Sequence, residues 1–346
     1  AEEGDVQAQN TVGFMYLMGK GVRKDKDKAL YWLRKAADGG SSEAMYHIGE
    51  MYDAGLCYTE ANLGEALKWY QLAAEFGNAD AQYSLAAIHM IPDRRIYDPA
   101  KAAIYLEKAS ASGHGEAQYQ LGMMYVYGQG VKRDEAKAAE LLEMSCESGF
   151  QQAMVDYANL RFEGAALGRD LEKAALWFGK AAESCSGYAK YAIACMYGTG
   201  TYYEKDDKVA AEYFMEAAEM GEVNSQYALA CFYYEGRGIA KDVKKAALWF
   251  GLAAEQGHMG AKAFLGMLNI TGTGSEQNID EGLRLLNESA DSGHPEGQYY
   301  IGKLLLEGKY VKKNVPRAKR YLAMSAKQGD PDAKALLERI KAEKIH

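Results

Sequence analysis

The chain has 346 residues, 48% hydrophobic and 25% charged, with a formal net charge of −8. This is the composition expected of an ordered, water-soluble protein, long enough for two ordinary domains or one extended array. It argues against a membrane span, since no apolar run approaches the roughly 20 residues a spanning helix needs, and against sequence-blind nucleic-acid binding, since no dense Lys/Arg cluster is present.

In chain order, the first ten residues, AEEGDVQAQN, match phrases that return as AEFGNADAQY at Ala74–Tyr83 and AEQGHMGAKA at Ala254–Ala263. Residues 1–7 are therefore expected to be the remnant of a preceding repeat. The small residue of this phrase falls at Ala8, Ala44, Ala81, Ala117, Ala153, Ala189, Ser225, Ala261, Gly297 and Ala333. The steps are 36, 37, then 36 seven times.

Each copy predicts two short helices. In the fourth, Ala117, Leu121 and Tyr125 share one helical face. The turn Gly128–Val131 supplies helix-breaking glycines. A second helix follows, with a large apolar residue expected in the core at Trp32, Trp69, Tyr105, Leu141, Trp177, Tyr213, Trp249, Leu285 and Tyr321. In the first helix one position holds only Gly or Ala: Gly13, Gly49, Ala86, Gly122, Ala158, Ala194, Ala230, Gly266 and Gly302. A helical Gly costs roughly 1 kcal/mol against Ala, so a close partner helix is expected there. One such helix pair cannot bury its own apolar face, and neighbours must stack. The fold class read from the residues is all-α, an α-solenoid of nine 36-residue helix-turn-helix repeats over 8–331, with a C-terminal capping helix at 332–346.

Several positions depart from the pattern. The third repeat carries IPDRRIYDPA, Ile91–Ala100, where the others carry a Gly-x-Gly turn. Pro92 should end the first helix early. Arg94, Arg95 and Tyr97 then form a candidate specificity loop, with neutral drift as the alternative. His89 replaces a core Tyr and reads as a buried, satisfied imidazole. Arg161 replaces the same Tyr two repeats later, and its charge needs a partner, an exit to water or a ligand. His114, His258 and His294 all follow a helix-ending Gly, which points to a role in the turn between helices rather than in metal binding. Cys57, Cys146, Cys185, Cys195 and Cys231 offer no clear pairing, and Cys195 and Cys231 should lie too far apart to bridge. No metal constellation and no cofactor motif is read from the sequence.

The pattern A-x-x-x-L-G-x-x-Y-x-x-G-x-G-V, then K-A-x-x-W and K-A-A-x-x-G, resembles the Sel-1-like repeat, a relative of the tetratricopeptide repeat. Gly13, Tyr16, Gly19, Gly21 and Val22 with Lys28, Ala29 and Trp32 carry the resemblance, as do Tyr233, Gly236, Gly238 and Ile239 with Lys245, Ala246 and Trp249. It implies a right-handed α/α superhelix whose first helices line the concave side. Some disulfide-rich relatives have been proposed to bind penicillin, but Ser-x-x-Lys and Lys-Thr-Gly are both absent here.

On that concave side the third, seventh and tenth positions of each first helix should face water and be polar. Instead they bring Tyr46, Tyr83, Tyr119, Tyr191, Tyr227 and Tyr299, with Met123, Phe162 and Tyr234, while Glu43 and Glu116 stand just before their repeats. Tyr joins apolar area to a hydroxyl and suits interfaces. The alternative is that these rings pack laterally between repeats, and both roles are compatible. The expected function is a non-enzymatic scaffold or adaptor that binds another protein or peptide on this Tyr-lined face, as a monomer. Two alternatives are a bacterial inhibitor or immunity-type protein capping an effector enzyme, and an enzyme acting on a small ligand or cell-wall fragment. Unpaired cysteines lean towards a reducing, cytoplasmic compartment, and the resemblance leans towards export.

Overall fold

Every regular element among the described residues of the computed structural model, 4–56, 61–92 and 96–342, is a helix. One unit, Ala1–Trp177, holds α1 (Val6–Met18), α2 (Lys26–Asp38), α3 (Ser42–Asp53), α4 (Leu63–Glu75), α5 (Ala79–His89), α6 (Pro99–Ala111), α7 (Gly115–Tyr127), α8 (Glu135–Glu147), α9 (Gln151–Glu163) and the start of α10 (Leu171–Glu183). The other, Phe178–His346, holds the rest of α10, then α11 (Gly187–Thr199), α12 (Asp207–Glu219), α13 (Val223–Glu235), α14 (Val243–Glu255), α15 (Met259–Thr271), α16 (Ile279–Asp291), α17 (Pro295–Glu307), α18 (Val315–Lys327) and α19 (Pro331–Ala342). Odd-numbered helices are the first helices of the repeats. Within each unit a helix packs on its neighbours in sequence, as a stacked array requires.

A recurring acid or amide starts the even helices. Asp25, Asn62, Asp98 and Asp134 in the first unit, and Asp206, Asp242, Asn278 and Asn314 in the second, each accept the backbone N–H three residues on, at 3.0–3.1 Å. Each cap contributes about 1 kcal/mol.

The motif A-Q-Y resolves into three tasks. The Ala is buried. The Gln is also buried and reaches back to the end of the preceding even helix: Gln82 Nε2 donates to the Ala74 carbonyl at 3.2 Å, Gln118 to Ser110 at 3.3 Å and Gln226 to Ala218 at 3.3 Å. It thereby satisfies a carbonyl that the helix itself leaves without a partner. The Tyr looks forward, to the next repeat.

The Gly/Ala position meets its partner helix as expected. A Cβ on Gly122 would stand 2.8 Å from Leu142 Cγ, one on Gly49 2.6 Å from the Tyr70 ring, and one on Gly302 2.8 Å from Leu322 Cγ. These contacts also correct the expected core position of the second helix. The buried residue is the one after it: Leu33, Tyr70, Leu106 and Leu142, then Phe178, Phe214, Phe250, Leu286 and Leu322. Trp32, Trp69, Tyr105, Leu141, Tyr213, Trp249 and Tyr321 are half-buried instead, while Trp177 and Leu285 are buried. The reason is helical geometry: adjacent positions are 100° apart, so a broad apolar stripe holds both but only one faces the Gly/Ala groove.

The second Gly of the turn is a stacking contact. A Cβ on Gly238 would lie 2.0 Å from the Asp207 carbonyl oxygen, at the start of α12. The Lys that opens the second helix lies over the ring at the ninth position of the first: Lys28 over Tyr16 at 5.4 Å, Lys137 over Tyr125 at 5.2 Å and Lys245 over Tyr233 at 5.3 Å. As expected from Pro92, α5 is short, 11 residues against 13 in α7. His89 is buried, with Nδ1 2.7 Å from the Ile96 carbonyl, which makes it the donor.

Candidate protein-binding surface

In the first unit Tyr83 and Tyr119 bridge repeats. Tyr83 donates its hydroxyl to Glu116 Oε1 at 2.7 Å, and its ring stacks on His114 at 4.9 Å. Tyr119 donates to Asp156 Oδ2 at 2.7 Å and packs against Phe150 at 5.3 Å. His114 and Phe150 are the N-cap residues of α7 and α9, so each ring lies over the start of the next odd helix. Tyr46 donates to Glu50 on its own helix at 3.0 Å. Burial, and then the adjoining carboxylates, push the pKa values of Tyr46, Tyr83 and Tyr119 far above the usual phenol range, so these hydroxyls stay protonated donors.

The rings are nonetheless only half-buried, as are Met123 and Phe162. Their open face is completed by the preceding, fourth and seventh positions, which brings up Glu43 and Asp80, both exposed, and half-buried Glu50, Glu116 and Asp156. The tenth position sits at the rim; Leu17 and Val126 there are buried. Sequence reasoning read Glu50 and Asp80 at outward positions without assigning them to the surface, and missed Asp156. Their signal was an acid at the preceding, fourth or seventh position of an odd helix, which are neighbours on one helical face.

Between α5, α6 and α7 this face opens into a recess of about 290 Å³, lined by Tyr83, Ala86, Ala87, Met90, Ile91, Leu106, Gln120 and Met124. Tyr97 is exposed, and Arg94 and Arg95 lie outside the described residues. Arg161 turns inward. Its Nε and Nη2 donate to the Tyr157 hydroxyl at 3.3 and 3.2 Å and its Nη1 to the Leu167 carbonyl, so its charge is met within the fold.

In the second unit Tyr191, Tyr227 and Tyr299 are half-buried as well. Tyr191 packs on Phe214 at 6.0 Å, and Tyr227 stacks on His258 at 4.3 Å. Tyr234, Phe264, Met267, Tyr299, Tyr300, Lys303 and Asp332 line a recess of about 320 Å³. His258 caps α15, its Nδ1 accepting the Ala261 N–H at 3.0 Å, as His114 caps α7 at 3.1 Å. His294 precedes α17 and pairs with Glu296 at 2.8 Å. The turn role read from the sequence is thus what these imidazoles perform. Cys185, Cys195 and Cys231 are free thiols. Burial pushes the Cys231 thiol up to about 12, which removes its nucleophilic form at neutral pH. No helix of the described residues is long and apolar enough to cross a membrane.

A model of the Sel1 repeat matches residues 6–41, 42–78, 79–114, 115–150, 151–184, 187–222, 223–258, 261–294 and 295–330. The protective antigen c5321 of uropathogenic Escherichia coli strains, which displays an SLR fold, is 31% identical. That likeness covers 98% of this chain and 73% of the antigen, with a TM-score of 0.88. A Sel1 repeat protein from Oxalobacter formigenes is 25% identical over 95% of this chain and 93% of its own, with a TM-score of 0.69. Over 56 residues, 16% of this chain, there is 39% identity to HRD3A, the ERAD-associated E3 ubiquitin-protein ligase component of Arabidopsis thaliana; the match spans 8% of that protein.

Proposed function

This chain belongs to the Sel1 repeat family, and on that premise we propose that it is a non-enzymatic scaffold holding a partner protein or peptide on the faces of its odd-numbered helices. Sel1-repeat proteins are protein-interaction scaffolds. One observation carries the reading to this surface: Tyr83, Tyr119 and Met123 stay half-exposed where a helix facing only water would be polar. Their hydroxyls are held by carboxylates, so the rings are fixed before a partner arrives and little side-chain entropy is lost on binding. The tyrosines therefore serve stacking and binding together.

The test is affinity capture from an extract of the source cells. Immobilised wild-type chain is compared with a variant carrying Ala87→Lys and Met123→Lys, both matched in melting temperature. A defined set of proteins retained by the wild type and lost by the variant supports the proposal. Retention of the same set by both overturns it.

A further inference from the structure

Charge in the first unit is sorted by helix layer. No Lys or Arg occurs in α1, α3, α5 or α7, and Arg161 of α9 is bonded to Tyr157 and Leu167. The even helices carry the cations, among them Lys28, Lys35, Lys68, Lys101, Lys108 and Lys137. Among the described residues the odd helices of this unit present Glu43, Glu50, Asp53, Asp80, Glu116 and Asp156, with Arg161 the one Lys or Arg in their layer, while the loop cations Lys20 and Arg169 lie over the rings of Phe14 and Phe162. In the second unit Lys190, Lys262 and Lys303 lie on the odd helices, so the asymmetry is not a property of the repeat.

The recess between α5 and α7 lies within this acidic surface. Tyr83 is part of its wall and touches Glu116, while Asp80 stands one helical turn before Tyr83. Apart from the Gln120 amide, the rest of the lining is aliphatic or thioether, among it Ala87, Met90, Ile91, Leu106 and Met124. At about 290 Å³ it falls at the lower end of ligand-pocket sizes, suited to a single large side chain rather than a cofactor. Flexible Met side chains can adjust to its shape.

We propose that this recess takes one bulky apolar side chain from a cationic segment of the partner, whose Lys or Arg residues on either side pair with Asp80, Glu116 and the acids of α3. The assignment rests on the protein-binding reading above and names the chemistry of what binds. Apolar burial supplies the selectivity, and the acidic surround supplies attraction and approach rate, the part that weakens with salt.

The experiment uses the full chain and fluorescein-labelled nine-residue peptides, four Lys or Arg on each side of a central Leu, or of a central Gly, followed by fluorescence polarisation. The Leu peptide should bind about tenfold tighter than the Gly peptide. Ala87→Phe fills the recess from an exposed position and should erase that difference. Asp80→Asn with Glu43→Gln should weaken both peptides and flatten the salt dependence. Equal affinity of the two peptides for wild type would overturn the proposal, leaving bare attraction between opposite charges. So would a Leu preference that survives Ala87→Phe. If the peptides fail while the Ala87→Lys, Met123→Lys variant still loses its captured partner, the scaffold reading stands and the cationic assignment falls.

Discussion

Tyr83 of α5 donates its hydroxyl to Glu116 of α7, 2.7 Å away and in the next repeat. The bond ties two repeats that the chain joins through α6, and it fixes a ring whose other side is open. Tyr83→Phe should cost about 1–2 kcal/mol, because it removes a charge-assisted bond and leaves Glu116 half-buried without its donor. A double-mutant cycle with Glu116→Ala, read from urea midpoints, should give a coupling of at least about 0.5 kcal/mol. Strict additivity would show that the contact does not couple the repeats.

His258 should make the second unit sensitive to mild acid. Its Nδ1 accepts the Ala261 N–H, so capping requires the neutral imidazole. Burial is the first cause that lowers its pKa, and His294 adds to it; Glu222 and Glu296 oppose, and Tyr227 covers the ring. A folded pKa below the ordinary value of about 6.5 means that the unfolded chain binds the proton more readily. The stabilisation is complete above about pH 6.5 and is lost as pH falls from there towards the folded pKa. His258→Asn supplies a cap that does not titrate, as Asn78 does for α5 by accepting from Ala81 at 2.8 Å. Between pH 7.5 and 5.5, the wild type should lose more melting temperature than the variant. Equal losses would contradict this.

Cys185 has a φ of 64°, the one non-glycine residue with positive φ among the described residues. It follows α10 at the place where Gly149 and Gly221 follow their helices with φ of 89°. A left-handed L-residue costs roughly 1–2 kcal/mol. Cys185→Gly should therefore raise stability by about 1 kcal/mol, part of the relief being returned as the greater freedom of Gly in the unfolded chain. A lower thermal midpoint would refute this.

The periodic small residues disclosed the repeat, the helix pairs and the close approach at Gly49 and Gly122, because sterics at a packed interface allow few residue types. The core of the second helix was displaced by one, from Trp32 to Leu33, since two adjacent apolar residues both fit the stripe and size does not say which one meets the groove. The recurring Asp or Asn before each even helix was visible as a repeat and is explained only by the cap it forms. The tyrosines were legible as a stripe. That Glu116 and Asp156 accept their hydroxyls was not, because the two acids lie 33 and 37 residues on, at different positions of the next odd helix one turn apart. The recess beside Tyr83 depends on the short α5 and on Met90 and Ile91 ahead of Pro92, a shape that no residue pattern encodes.

The claim that partners are held on the odd-helix layer can be put to a crosslinking measurement. A photoreactive phenylalanine analogue is placed at Met123 on α7 or at Ile104, an exposed site on the even helix α6, and each protein is irradiated in source-cell extract. The account predicts discrete adducts from position 123 and none from 104; adducts from 104 alone would contradict it.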